Sequence, residues 1–326
     1  MYRKTVAMIT CVVAATALVV APADARADEL VAKAHRTTQV RYFSAEVNGL
    51  DIFYRDAGPR QAPVVVLLHG FPTSSHMYRE LIPQLATRYR VIAPDYPGFG
   101  QSSAPSHLEY EYTFDNLTRA VDGLLASLDI SRYTLYTFDY GAPIGYRLAM
   151  MHPERVMALL VQNGNAYEEG LQEFWDQFRR YWNEPTSANR EALRPLLELE
   201  TTIFQYVDGV PDTSLISPDT WTLDQARLDR PGNQEIQLDL FLNYETNVEL
   251  YPAFQQYFRD FQPPTLIVWG ANDFIFPVEG ALAFQRDLPD AELHLLNTGH
   301  FALETDGELI ADLIHRFLAR HVSPQQ

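Results

Sequence analysis

The chain has 326 residues, a formal net charge of −17 at pH 7, 47% hydrophobic residues and 12% aromatic residues. The hydrophobic and aromatic content excludes an intrinsically disordered protein, and the acidity opposes binding to nucleic acid or to an anionic membrane. The length suits one large α/β domain that carries an insertion. The sequence contains no internal repeat and no phosphate-binding loop motif.

The first 27 residues, Met1–Ala27, have the pattern of a secretory signal peptide. Arg3 and Lys4 precede an apolar run from about Val6 to Val20, and small residues suit cleavage before Asp28. We therefore predict an exported protein, periplasmic or extracellular, with no membrane span after cleavage. A membrane anchor is the alternative, although the apolar run is short for a span.

Removal of this segment has two chemical consequences. The only cysteine, Cys11, is lost, which excludes disulfides and a catalytic cysteine from the mature chain. The net charge becomes −19, because the segment itself has a charge of +2. About 299 residues remain for the fold.

Strand-like and helix-like segments alternate from residue 41 to residue 161. The first two strands flank Asn48-Gly49, which is a strong signal for a two-residue hairpin. The third strand is apolar almost throughout, as in a parallel sheet buried on both faces. This order predicts a mostly parallel sheet with helices on both faces. We predict strands at Arg41–Val47, Leu50–Arg55, Val64–His69, Tyr89–Ala93, Tyr133–Phe138 and Val156–Val161, with helices at Tyr78–Ala86, Thr113–Leu128 and Ile144–Met151.

At about Asn165 the alternation gives way to a long helical, aromatic-rich stretch. We predict an α/β core made of residues 28–164 and 263–326, with a helical cap, residues 165–262, over the sheet edge where ligands bind. A helical domain that serves only oligomerisation is the alternative. The clearer helices of the cap are Glu173–Trp182 and Asn189–Leu199, and the core resumes with strands at Pro264–Gly270 and Glu292–Leu296 and a helix at Glu308–Arg320.

The stretch Tyr133–Met151 predicts a strand that turns at once into a helix. Such a turn packs tightly, and small residues stand two positions either side of its apex, at Thr137 and Gly141. The apex residue, Asp139, is expected to have a strained backbone over a helix N-terminus, which favours an ionised carboxylate. This is the geometry of a nucleophile elbow with Asp as the nucleophile. The simpler alternative is that Asp139 only caps the helix.

Residues at the ends of three further strands could complete a site with Asp139. Asp273 follows the first strand of the resumed sheet, and His300 follows the last strand on a glycine turn. The turn after the third strand could aim the Phe71 N–H into the site, where it would form an oxyanion hole with the Tyr140 N–H. Singly, these features could be an Asx-turn, a surface histidine and a plain turn. Together, they predict a nucleophile, an acid and a histidine in that order.

Five motifs make the chain resemble the α/β-hydrolase superfamily, in the branch with an aspartate nucleophile. They are HGFPTSSHMYRELIPQLA, RVIAPDYPGFGQSSAP, FDYGAPIG, WGANDFIFP and NTGHF. The resemblance runs from about residue 42 to the C-terminus and implies an α/β-hydrolase fold that works without a cofactor or metal. It implies Asp139 as nucleophile, Asp273 and His300 as the pair that activates water, and the backbone of Phe71 and Tyr140 as oxyanion donors.

This branch contains epoxide hydrolases and dehalogenases, which differ in the donor for the leaving group. Haloalkane dehalogenases usually carry Asn after the HG turn and Trp after the nucleophile, and here these are Phe71 and Tyr140. The HGFP turn resembles that of epoxide hydrolases, and Tyr244 in LNYETN resembles their ring-opening cap tyrosine, a core tyrosine being the alternative. Their second cap tyrosine corresponds to Phe178, which donates nothing, so either Tyr181 one turn later substitutes for it or Tyr244 acts alone.

The leading hypothesis is therefore an epoxide hydrolase that acts on a small apolar molecule. A dehalogenase that uses the same two steps and a catalytically silent binding protein are the alternatives. Ser102 has a serine-elbow pattern, but Pro97-Gly98 separates it from its strand and Pro105 follows, which predicts a loop. An aromatic stripe at helical spacing is commonly core. The candidate pocket residues are His69, Trp175, Phe178 and Tyr181.

Overall fold

The computed structural model describes residues 38–322, and the predicted signal peptide, Met1–Ala27, lies outside them. Its strands are β1 Arg41–Val47, β2 Leu50–Ala57, β3 Val64–Leu68, β4 Arg90–Pro94, β5 Tyr133–Phe138, β6 Val156–Gln162, β7 Thr265–Gly270 and β8 Glu292–Leu296. They form one sheet in the order β1-β2-β4-β3-β5-β6-β7-β8. Every strand that the sequence predicts is present, with ends that differ by two residues at most.

Strand pairing is parallel except at one edge of the sheet. β1 and β2 form an antiparallel hairpin in which Val47 pairs with Leu50 across Asn48-Gly49, as predicted. β2 also runs antiparallel to β4, whereas all neighbours from β4 to β8 are parallel. Parallel strands end at the same edge, so the loops after β3, β5, β6, β7 and β8 gather there.

Helices cover the sheet and fill the segment between β6 and β7. The α-helices are α1 Leu81–Leu85, α2 Phe114–Ser127, α3 Gly141–Met151, α4 Asp176–Asn183, α5 Ser187–Ala192, α6 Leu199–Val207, α7 Pro218–Leu228, α8 Asn233–Asn243, α9 Glu245–Glu249, α10 Tyr251–Phe261, α11 Val278–Ala283 and α12 Ala302–His321. Short 3-10 helices occur at Ser75–Tyr78, Pro153–Arg155, Glu168–Gly170, Glu173–Trp175, Arg194–Leu197, Thr213–Leu215 and Phe284–Arg286.

Three predicted helices are wrong as continuous α-helices, and proline explains two of the breaks. The segment Glu173–Trp182 is a 3-10 helix, Glu173–Trp175, followed directly by α4. In the segment Tyr78–Ala86, Tyr78 ends a 3-10 helix and α1 begins at Leu81, so that Pro83 takes the third position, where no helical N–H partner is needed. The segment Asn189–Leu199 is divided among α5, a 3-10 helix and the start of α6. Pro195 lies in its middle and has no N–H to continue an α-helix. The closing helix, α12, begins six residues earlier than predicted.

Alternate residues of the central strands enter separate cores on the two faces of the sheet. In β3, Val66 and Leu68 join a core with residues of α2 and α3, whereas Val65 and Leu67 join a core with residues of α1 and α12. All five β3 residues are buried. Helices therefore cover both faces, which confirms the sequence prediction and explains why β3 is apolar throughout.

The segment from α4 to α10 lies over the carboxyl edge of the sheet. Residues 163–264 are all described and contain helices and loops but no strand. Phe241 of α8 packs on Phe71 after β3, and Trp175 packs on Phe276 after β7, each with ring centroids 5.3 Å apart. The cap boundaries at 165 and 262 remain a prediction. Within residues 38–322, no helix is long and apolar enough to cross a membrane.

Candidate active site

Asp139 stands at the sharp turn between β5 and α3. Its φ is +47°, a left-handed conformation that is strained for a residue with a side chain. The turn is possible because Gly141 has no side chain. A Cβ at this position would lie 2.0 Å from the Leu68 carbonyl oxygen. The helix begins after Tyr140 without a side-chain cap. Asp139 is instead only 5% exposed and faces the loop after β3.

Backbone N–H groups hold the Asp139 carboxylate. Phe71 N–H donates to Oδ1 at 2.6 Å, and the Tyr140 N–H is a second donor. The loop can approach this closely because Gly70 has no side chain. A Cβ at this position would lie 2.3 Å from Asp139 Oδ1. Burial raises the pKa of Asp139 to about 6, although His300 and the two N–H groups oppose that effect. The predicted oxyanion donors therefore both reach the carboxylate.

His300 lies between the two acidic residues. Its Nδ1 donates to Asp273 Oδ2 at 2.7 Å, which leaves Nε2 facing Asp139 Oδ2 at 3.9 Å. Nε2 is buried and has no hydrogen-bond partner in the described part of the chain. Burial alone would lower the pKa of His300, but the carboxylates of Asp273 and Asp139 outweigh it and raise the pKa. The ring can therefore exchange a proton at Nε2 while Asp273 fixes its orientation.

Asp273 is held by donors on every side. Its Oδ1 accepts the N–H groups of Ile275 at 2.8 Å and Phe276 at 3.2 Å. Its Oδ2 accepts the side-chain amide of Asn163 at 2.8 Å, besides His300. Sequence reasoning missed Asn163, yet the residue directly follows β6 at the same sheet edge, so the strand-end pattern that located the other residues also marks this one.

Tyr244 packs against the nucleophile turn through Tyr140. It is 1% exposed, and its ring contacts those of Tyr140 at 5.9 Å and Trp175 at 4.5 Å. Its hydroxyl is hydrogen-bonded to that of Tyr251, the first residue of α10. The side-chain amide of Asn165 donates to the Tyr251 hydroxyl at 3.1 Å. Sequence reasoning missed Tyr251, because only packing of the inserted helices brings residues 244 and 251 together.

The other pocket candidates line the aromatic surroundings of the site, but their polar atoms are engaged elsewhere. Phe178 packs on Trp175 at 4.8 Å, and the Trp175 indole donates to the Ile275 carbonyl at 2.7 Å. The Tyr181 hydroxyl accepts from the Arg190 guanidinium at 3.2 Å. Because Tyr181 is thereby held toward α5 and α8, the structure brings Tyr251 rather than Tyr181 to Tyr244.

Two further polar groups are buried close to the nucleophile turn. His69 stacks on Tyr96 at 4.1 Å and contacts the Gly70 carbonyl through Nδ1 at 2.9 Å. Burial lowers the pKa of His69 to about 4, so the ring is neutral at pH 7. The Tyr140 hydroxyl is also buried, and among residues 38–322 it has no hydrogen-bond partner. It is therefore a donor that a bound molecule could use.

Ser102 lies in the loop that the sequence predicts. Its hydroxyl donates to the Asp95 carbonyl at 2.6 Å and accepts the Phe53 N–H at 2.9 Å. Neither partner is a base, so nothing here activates this serine. The described residues also contain no group of three or more His, Cys, Asp or Glu side chains that could hold a metal ion.

Comparison with known proteins identifies the family. The sequence pattern of the alpha/beta hydrolase fold family matches residues 63–307. The chain belongs to the α/β-hydrolase family. This α/β-hydrolase is 45% identical over 278 residues to an uncharacterized hydrolase of Saccharomyces cerevisiae, an alignment that covers 84% of the chain and 95% of the relative. These matches confirm the predicted fold class and the hydrolase class.

Two further similarities concern the relatives of this α/β-hydrolase. It is 28% identical over 305 residues to a haloalkane dehalogenase of Psychrobacter cryohalolentis, which covers 86% of the chain and 91% of that relative. The crystal structure of an epoxide hydrolase from Vigna radiata matches it with a TM-score of 0.68 and 24% identity, over 86% of this chain and 98% of that chain. The first similarity is one of sequence, and the second shows a shared fold.

Proposed function

We propose that this α/β-hydrolase is an epoxide hydrolase that converts an epoxide to a vicinal diol through an ester on Asp139. One observation carries the proposal: the Asp139 carboxylate, held by the Phe71 N–H at 2.6 Å, faces His300 Nε2 at 3.9 Å. The other ring nitrogen of His300, Nδ1, is hydrogen-bonded to Asp273 Oδ2 at 2.7 Å. This arrangement supplies a nucleophile, a base, a group that orients the base and oxyanion donors.

The reaction follows from these positions in two steps. A carboxylate oxygen of Asp139 attacks an epoxide carbon, the ring C–O bond breaks, and the Tyr244 hydroxyl protonates the alkoxide. His300 Nε2 then takes a proton from water, and the hydroxide adds to Asp139 Cγ. The N–H groups of Phe71 and Tyr140 stabilise the tetrahedral oxyanion, whose collapse transfers the remaining water proton to the diol and restores the carboxylate. The proton on His300 returns to the tyrosinate.

The tyrosine pair supports an epoxide over a halide as the leaving group. An alkoxide needs a proton, and Tyr244 is a buried hydroxyl whose ring lies 5.9 Å from that of Tyr140, next to the nucleophile. Tyr251 accepts a hydrogen bond from Asn165 at 3.1 Å and is also hydrogen-bonded to Tyr244. This network holds the Tyr244 hydroxyl in place beside the nucleophile turn.

A dehalogenase is the second candidate, favoured by the buried Tyr140 hydroxyl. That donor has no partner within the described residues and follows the nucleophile directly, so it could hold a halide. We further propose that the natural substrate is a small apolar molecule, because aromatic rings surround Tyr244. Export through cleavage of Met1–Ala27 is also proposed, and N-terminal sequencing of the secreted protein tests it.

Trapping the ester tests the proposed mechanism. His300→Gln removes the base of the second step, so incubation with styrene oxide is expected to add one substrate mass to Asp139, seen by intact and peptide mass spectrometry. His321→Gln, a matched change at an exposed helix end, should turn over normally without an adduct. Absence of any adduct in His300→Gln would leave the silent binding protein as the better description.

Product analysis separates the two enzyme classes. The native protein is expected to release diol from styrene oxide, and Tyr244→Phe should lose this activity while alkylation by a bromoalkane persists. Halide release from 1-bromobutane without any diol formation would favour the dehalogenase.

A further inference from the structure

We propose that Arg147 is a positioning residue that fixes Tyr244 relative to Asp139. The proposal rests on the ring-opening role of Tyr244 stated above. Arg147 belongs to α3, the helix that begins two residues after Asp139, and it binds α9, the helix that begins directly after Tyr244. One guanidinium thus joins the helix behind the nucleophile to the helix behind the proposed proton donor.

The Arg147 side chain divides its donors between the core and the inserted helices. Toward the insertion, Nη1 donates to Asn247 Oδ1 at 2.5 Å and Nη2 donates to Thr246 Oγ1 at 3.0 Å. Toward the core, Nε donates to Asp115 Oδ1 at 2.8 Å and Nη1 donates to the Pro143 carbonyl at 3.4 Å. The planar guanidinium therefore sets the distance between α3 and α9 with a defined geometry.

Burial of this cation indicates a role beyond stability. The Arg147 side chain is only 5% exposed, and its single ion-pair partner in the described structure, Asp115, is 60% exposed. Its partners in the insertion are neutral oxygens. A buried charge of this kind is often replaceable by apolar residues without loss of stability, whereas a polar group can specify one arrangement of two elements.

The hydrogen bonds from Arg147 to α9 form one tether, which follows Tyr244 in the chain, and a second tether holds the residue before it. Asn243 Oδ1 accepts the N–H of Phe114 at the start of α2, at 2.8 Å. The Phe114 ring then contacts Tyr244 at 5.5 Å and Tyr140 at 4.9 Å. Tyr244 is the single residue between α8 and α9, so it is fixed by Asn243 on one side and by Arg147 on the other.

Three variants test the Arg147 tether. In a single turnover, measured in the His300→Gln background, Arg147→Met is expected to slow ester formation from styrene oxide 10- to 100-fold. The substrate concentration that gives half the maximal rate should change less. Asp115→Asn removes only the negative charge of the exposed partner and should stay within about 3-fold, the size of a weak surface ion pair. Asn247→Leu should reproduce Arg147→Met, and the double variant should be no slower than either single one. Wild-type rates in Arg147→Met would overturn the proposal.

A second readout separates this proposal from the enzyme assignment and from misfolding. Amide hydrogen exchange of the peptide that spans residues 243–250 should speed up in Arg147→Met and Asn247→Leu but not in Asp115→Asn, with exchange in β5 unchanged. Asn247→Asp keeps an acceptor for Arg147 and should restore native exchange. If the native protein forms no diol, the proposed function fails while faster exchange still supports the tether. Unchanged exchange in Arg147→Met overturns the tether itself.

Discussion

The side-chain amide of Asn163 donates to Asp273 Oδ2 at 2.8 Å, and this same oxygen accepts from His300 Nδ1 at 2.7 Å. The Asn163 carbonyl also accepts the backbone N–H of Asp139 at 3.3 Å. One residue therefore contacts both the acid that orients the histidine and the turn that carries the nucleophile. Its φ of +42° is left-handed, which asparagine tolerates better than most residues.

Removal of the Asn163 side chain should weaken the second step of the reaction. Asn163→Gly keeps the left-handed backbone but deletes the hydrogen bond to Asp273, and a bond to a charged group is worth about 1.5–3 kcal/mol. We expect hydrolysis of the Asp139 ester to slow by roughly 10- to 100-fold, so the ester should accumulate in mass spectra during turnover. Asn48→Gly, at an exposed left-handed asparagine with φ +52°, is the matched control and should behave as wild type.

Ester formation should depend on the protonation of Asp139. The pKa of this buried carboxyl is raised to about 6, so the nucleophilic form is lost as the pH falls through that value. Burst kinetics with an epoxide from pH 5 to pH 8 should therefore rise with pH. In His300→Gln the midpoint should move higher, because the imidazole that lowers the pKa of Asp139 is gone. A rate that is flat across this range would contradict the assignment of Asp139 as nucleophile.

The hydroxyl of Tyr251 should contribute to ring opening through Tyr244. Tyr251→Phe removes one neutral hydrogen bond, worth about 0.5–1.5 kcal/mol, so epoxide opening should slow by roughly 2- to 10-fold. Tyr244→Phe removes the proposed proton donor and should cost about 100-fold or more. Tyr257→Phe, on the same helix α10, should have no effect on kcat. Equal rates for Tyr251→Phe and Tyr257→Phe would remove Tyr251 from the mechanism.

The sharp turn at Asp139 should not tolerate a methyl group at position 141. Gly141→Ala places a Cβ about 2.0 Å from the Leu68 carbonyl oxygen, so β3 or α3 must shift. We expect a loss of about 3 kcal/mol or more of unfolding free energy, measured by urea denaturation. Gly307→Ala in α12 has open space around the new methyl group and should be neutral or stabilising by up to about 1 kcal/mol. A native-like Gly141→Ala would contradict this packing.

Asp224 in α7 should make stability depend on pH. Burial raises its pKa to about 7, although hydrogen bonds from Tyr206 and Thr73 oppose this. Because the folded pKa exceeds the unfolded value, the folded state binds the extra proton and stability falls as the pH rises from about 4 to 7. Asp224→Asn should match wild type near pH 4 and be more stable at pH 8 by on the order of 2–4 kcal/mol. Asp219→Asn, exposed on the same helix, is the control for thermal denaturation at both pH values.

Strand-end reasoning found Asp139, Asp273 and His300, and the structure gathers them at one edge of the sheet. The reason is topological, since parallel strands bring their carboxyl ends together whatever the distance along the chain. The same reasoning extended to β6 would have found Asn163. The roles assigned to these residues remain predictions.

The inserted helices were predicted less well. Their amphipathic pattern marks a buried face but not the element that packs against it, and prolines divide them at positions that only the chain path makes acceptable. Tyr181, one helical turn from Phe178, was a reasonable substitute on that pattern. Packing instead pairs Tyr251 with Tyr244 and brings Arg147 to α9, contacts that span different elements and leave no periodic trace in the sequence.

Asp139 Oδ2 lies 3.9 Å from His300 Nε2, so the charge on Asp139 affects the pKa of His300. While Asp139 is a carboxylate, its negative charge raises the pKa of His300 and favours the protonated ring. In the proposed cycle, conversion of Asp139 to a neutral ester removes that charge, so the pKa of His300 falls and the ring holds a proton less tightly. Formation of the ester therefore raises the fraction of His300 that is neutral and able to accept a proton from water, which favours the second half-reaction once the first has occurred.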